Sequence, residues 1–211
     1  TVWYAAPNAG KTLITLNRLI CAIKGDSVDP HQVYYINADD TSQGLLLKVN
    51  LAEQYGFNML APGHRGFEPE KFLSMLHQAC ADGTAPGTIV ILDTVKKFTD
   101  LMDKTKASSF TKVVRQFVSV GGTLLGLAHV NKKPGPTGKS VYAGTTDIKD
   151  DFDCAYVIDV VDNGRESGTR LVEFSNEKRR GTVADSVRFS YRAGNGVSYE
   201  EMLESVAIVE A

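Results

Sequence analysis

Residues 5 to 12 read Ala-Ala-Pro-Asn-Ala-Gly-Lys-Thr, and residue types in that order suit the holding of a polyphosphate. A glycine turn that opens a helix aims successive backbone N–H groups at one point, and the helix N-terminus adds partial positive charge there. Pro7, Asn8, Ala9 and Gly10 form the cradle, and Gly10 lets the backbone approach an anion with no Cβ in the way. The Lys11 ammonium would reach the β- and γ-phosphates, and the Thr12 hydroxyl would ligate Mg²⁺. The first position of such loops, usually Gly, is Ala5 here. The bland alternative is an ordinary strand-to-helix turn.

Other candidates for chemistry close apolar runs. Asp93 follows Thr88–Leu92 and reads either as a carboxylate supporting the metal, alongside Thr12, or as a turn or helix-capping aspartate before Thr94. Asp39 and Asp40 follow Val33–Asn37. One of them, with Asp39 favoured, could orient an attacking water, yet Asp-Asp-Thr-Ser before a helix is also a good capping sequence. His129 ends the run 123–128 and reads as a sensor of the γ-phosphate or as a structural histidine. Residues 132–147 make a long Gly/Pro loop with Lys132, Lys133 and Lys139, suited to a nucleic-acid backbone or simply to solvent. Glu177-Lys178-Arg179-Arg180-Gly181 is the one dense basic run. It reads as an arginine finger for the γ-phosphate of a neighbouring subunit or as an exposed hairpin tip.

These positions need a scaffold, and the pattern supplies one. Val2–Ala5 reads as a strand leading into the loop, and Leu13, Leu16, Ile20 and Ile23 mark one helical face after it. Strands are expected at 33–37, 57–60, 88–92 and 123–128, and helices at 41–55, 69–82 and 109–120. Continuous apolar strands alternating with helices predict a parallel sheet covered on both faces. Strands at 154–161, 169–177 and 186–192 read as hairpin-linked antiparallel additions. Ligands of such open sheets lie at the carboxyl ends of the strands, where the candidates fall. Tyr34, Tyr35 and Phe98 read as core.

The bulk properties leave room for this reading. The 211 residues suffice for one α/β domain, expected to be a piece excised from a larger protein. No apolar run approaches a membrane span, so no membrane partner is expected. Cys21, Cys80 and Cys154 have no metal-ligand spacing, and the expectation for each is core filler in a reducing compartment. The net charge of −2 does not advertise nucleic-acid binding and does not exclude a local basic loop.

Taken in order, the phosphate loop, Asn37-Ala38-Asp39-Asp40, Ile91-Leu92-Asp93-Thr94, Ala128-His129-Val130-Asn131-Lys132, Gly144 to Asp153 and Lys178-Arg179-Arg180-Gly181 resemble the RecA-like core of P-loop NTPases. More narrowly, the chain resembles the ATPase domains of ring-forming replicative helicases of the RepA and DnaB type, including those fused to phage and plasmid primases. That resemblance implies Mg²⁺-dependent ATP hydrolysis, a hexameric ring, single-stranded DNA in the central channel, and a cytoplasmic location in a bacterium or its phage or plasmid. Lys11 and Thr12 would bind phosphate and Mg²⁺, with Asp93 supporting the metal. Asp39 falls where the family has a catalytic glutamate and is one methylene shorter. His129 falls at a sensor position that is Gln in DnaB-type proteins. Loop 132–147 would face DNA. Lys178, Arg179 and Arg180 would match the finger motif, with either arginine as the finger. Two other readings share these residues: a nucleotide-gated binding module without a motor, and a recombinase- or clock-type ATPase. A small-molecule kinase would want an arginine-bearing lid, and none is apparent.

Overall fold

The computed structural model describes residues 1–40, 42–64, 66–100, 103–130 and 151–209. In chain order the elements are β1 (Val2–Ala5), α1 (Lys11–Lys24), β2 (Val33–Asn37), α2 (Ser42–Tyr55), β3 (Asn58–Leu60), α3 (Phe72–Ala81), β4 (Ile89–Asp93), α4 (Lys104–Ser119), β5 (Thr123–His129), β6 (Cys154–Asp162), β7 (Thr169–Arg179), β8 (Ser186–Arg192), α5 (Tyr199–Glu204) and β9 (Ala207–Val209). The strands form one nine-stranded sheet in the order β3-β2-β4-β5-β1-β6-β7-β8-β9.

Alternation along the strands divides the core in two. On β1, Val2 and Tyr4 face one side, where Phe72 and Leu76 of α3 pack with Phe110, Val114 and Phe117 of α4. Trp3 and Ala5 face the other, against Leu13, Leu16 and Ile20 of α1, Leu51 of α2 and Leu203 of α5. That second face continues onto the late strands through Val172, Phe174 and Phe189, with Trp3 and Phe174 in edge-to-face contact at 5.0 Å. The expected parallel sheet with helices on both faces and antiparallel C-terminal strands is what the chain adopts.

Four expectations need correction. β6 pairs parallel with β1, Val2 opposite Ala155, so only β7, β8 and β9 are antiparallel. α4 begins at Lys104 rather than 109, because the Asp103 carboxylate accepts from the N–H groups of Thr105 and Lys106 and starts the helix in a polar stretch. Tyr34 is 36% exposed on the sheet near its β3 edge, not core. Of the three cysteines only Cys154 is buried; Cys21 sits on an exposed part of α1 and Cys80 is intermediate. Among the described residues, no helix is long and apolar enough to cross a membrane.

Candidate functional site

The parallel strands end on one rim of the sheet, and a cleft of about 500 Å³ opens there. Ala6–Leu13 form its floor, Asp39, Asp40, Asp93 and His129 one wall, and Arg170, Tyr191 and Tyr199 the other. The loop turns at Asn8 and Gly10, both at positive φ (62° and 85°). At Gly10 a side chain would be strained by the backbone and would also stand 2.5 Å from the Tyr191 hydroxyl, so glycine is required twice over.

Asp93 is the hub. It is only 4% exposed, and its Oδ2 accepts from the Thr12 hydroxyl at 2.8 Å and from the Tyr35 hydroxyl at 2.8 Å. Lys11 Nζ stands 3.9 Å from Oδ1, and Lys48 Nζ stands 3.6 Å from Oδ2. The Asp93 carboxylate is thus turned onto the phosphate loop, against the capping alternative. Lys11 titrates below the ordinary lysine range, chiefly because burial penalises its charge, with Asp93 and then Asp39 opposing. A bound anion would offset that penalty. The Tyr35 phenol is pushed well up, by burial first and by Asp93 second, which keeps it a donor.

Asp39 and Asp40 part ways. Asp40 pairs with Lys48 and accepts from the Asn37 amide at 2.6 Å. Asp39 lies on the cleft side, with Lys96 Nζ at 3.5 Å, Lys97 Nζ at 4.0 Å and His129 Nε2 at 3.6 Å. The last distance is just outside hydrogen bonding. The two carboxylates therefore face ion-pair partners, while Asn37 Oδ1 accepts from both of their backbone N–H groups. His129 titrates below its ordinary range, because burial disfavours its charged form and Lys11 and Lys96 add repulsion, so it is neutral at neutral pH. Its Nδ1 is buried with no hydrogen-bond partner among the described residues, as is the Tyr199 hydroxyl.

The basic run does not join this cleft. β7 is antiparallel to β6, so it starts at the cleft rim and finishes at the opposite one, with Arg179 opposite Cys154. Arg179 pairs with Asp185, and Arg180 donates to Asp153 at 3.0 Å. Lys178, Arg179 and Arg180 therefore cannot serve their own chain's phosphate loop. Loop 132–147 lies outside the described residues.

Arg170, at the near end of β7, is a cleft residue that sequence reasoning missed. Its Nη1 donates to the Asn8 carbonyl at 2.9 Å, and its guanidinium lies 5.9 Å from the Tyr191 ring centre. The signal was present: Arg170 is in phase with the core residues Val172 and Phe174. Lys48 and Lys96 were also missed. Lys48 interrupts the apolar run Leu45-Leu46-Leu47-Lys48-Val49, and a charge set among apolar residues marks a buried polar contact.

A family model described as an AAA domain matches residues 1–135. No curated protein matches the chain. The matched span carries β1 through β5, hence the phosphate loop and the carboxylates at the strand ends.

Proposed function

The chain belongs to the AAA domain family of P-loop ATPases, and from that premise we propose that it is an Mg²⁺-dependent ATPase that drives translocation on single-stranded DNA as one subunit of a ring. The observation that carries the catalytic part is the contact between Thr12 and Asp93, 81 residues apart and 2.8 Å from one another beside Lys11. A hydroxyl and a carboxylate oxygen at one cleft rim are the hard donor pair that Mg²⁺ takes from a protein, the remaining positions falling to water and phosphate. Thr12 and Asp93 would hold the ion, which when bound draws negative charge off the β- and γ-phosphate oxygens. Lys11 and the loop N–H groups bind the triphosphate. Asp39 orients the attacking water from the adjacent strand end, and neutral His129, at the end of β5 beside it, senses the γ-phosphate. Arg170, Tyr191 and Tyr199 line the side of the cleft left for the nucleoside.

Arg179 and Arg180 act on a second copy. Their place on the far rim supports this, since only another subunit's cleft could receive them, after exchange of their pairs with Asp185 and Asp153. Arg179→Ala and Arg180→Ala are expected to bind nucleotide as the wild type does and to lose turnover in the assembled ring. Mixing either variant with Lys11→Ala subunits should restore part of the activity. Loss of nucleotide affinity, or mixed rings as inactive as their parents, counts against a finger in trans.

DNA-driven motion is tested by the ATPase rate of the assembled oligomer with and without single-stranded DNA, and stimulation of several-fold is the expected result. Absence of stimulation favours a nucleotide-gated binding module. That alternative has its own support: Asp39 is a methylene shorter than a glutamate and is held by Lys96 and Lys97.

A further inference from the structure

Lysine is almost never fully buried, yet Lys48 on α2 is 4% exposed. Its ammonium contacts the Asp40 carboxylate, lies 3.6 Å from Asp93 Oδ2 and sits 5.9 Å from the Tyr35 ring centre. The oxygen it approaches is the one that accepts from Thr12 and Tyr35. Two carboxylates from neighbouring strand ends, Asp40 and Asp93, thus share one buried cation. Without it they would repel each other, and Asp93 would rely for charge on Lys11, whose Nζ is 3.9 Å away and faces the other oxygen. A unit positive charge near a metal ligand also opposes a divalent cation at the same oxygen, and at such separations in a partly buried site the opposition is not negligible.

We propose that Lys48 is the resident counter-ion of Asp93. It is a positioning residue that holds the carboxylate on Thr12 while no metal is present and sets the Mg²⁺ concentration at which the metal takes that carboxylate over. The inference rests on the nucleotide-site reading above and adds to it the residue that tunes metal occupancy. It also links the two strand ends, because the helix that follows Asp39 and Asp40 carries the cation that steadies Asp93.

The test is a binding titration, not a rate. Mg²⁺ is added to the chain with a fluorescent, non-hydrolysable ATP analogue at fixed concentration, and the midpoint of the fluorescence change is read. Lys48→Gln keeps a donor and removes the charge, and it is expected to lower the midpoint about fivefold to tenfold. Lys48→Met, the second neutral variant, should shift it the same way. Lys48→Arg keeps the charge and should leave the midpoint within about twofold of wild type. Lost stability alone changes the amplitude of the signal, not the midpoint of the folded fraction. A midpoint that stays in place or rises in both neutral variants overturns the counter-ion role while leaving the nucleotide site standing. A wild-type chain that binds the analogue with no Mg²⁺ dependence overturns the counter-ion role alone, and one that does not bind the analogue at any Mg²⁺ concentration overturns both.

Discussion

Replacing Lys11 with alanine is expected to cut ATP turnover by about a thousandfold, in the range found when a main electrostatic contact to a transition state is removed. The reason lies in where charge must be met. Transfer of the γ-phosphoryl group leaves negative charge on its oxygens, and Lys11 is the one cationic side chain of this loop. The fold should survive the change. Lys11 is buried and its charge is penalised by that burial, so removing it relieves a cost, and Lys48 remains beside Asp93 to keep the carboxylate compensated. Thermal melting without nucleotide should therefore stay within a few degrees of wild type. Phosphate release by Lys11→Ala at the wild-type rate would show that the cleft is not the site of hydrolysis.

Asp93→Asn is expected to do two things at once. Turnover should fall by about 10²–10³-fold, because the amide neither attracts Mg²⁺ nor opposes the charge of Lys11. Stability should also fall, by about 3–5 kcal/mol, since a buried ionic cluster that loses one partner leaves the others uncompensated. Here two lysines and two hydroxyls converge on one carboxylate. Urea unfolding of Asp93→Asn beside Lys11→Ala separates the two roles: the first should lose both activity and stability, the second activity alone. Equal stability of Asp93→Asn and wild type would deny Asp93 its place as hub.

The architecture was legible because the strands are short apolar runs and the helices keep a 3.6-residue period. The phosphate loop was legible because its spacing is local. The elements misjudged are those decided by distant contacts. β6 reads as a hairpin partner of β7, which it is, but its other neighbour is β1, about 150 residues earlier, and no local pattern encodes that pairing. α4 starts on a single capping aspartate among polar residues. The site divides in the same way. Thr12 and Asp93 could be named from type and position. Arg170 reaches the loop only because β7 runs antiparallel and starts at the cleft rim, and Lys48 matters only because α2 lays it over Tyr35. The basic run was visible, but which rim it occupies depends on the polarity of one strand.

The order of the strands sets a schedule for assembly. β1 is flanked by β5 on one side and β6 on the other, with Val2 opposite Gly126 and Ala155. The segment that leads into the phosphate loop is thus the strand whose two neighbours come from furthest downstream. A growing polypeptide must carry it with neither edge satisfied until the fifth strand has been made, and with one edge open until the sixth. Closing loops of that size is slow compared with forming local hairpins and helices. The phosphate loop is accordingly joined to a strand that cannot be paired on both edges until β6 is in place.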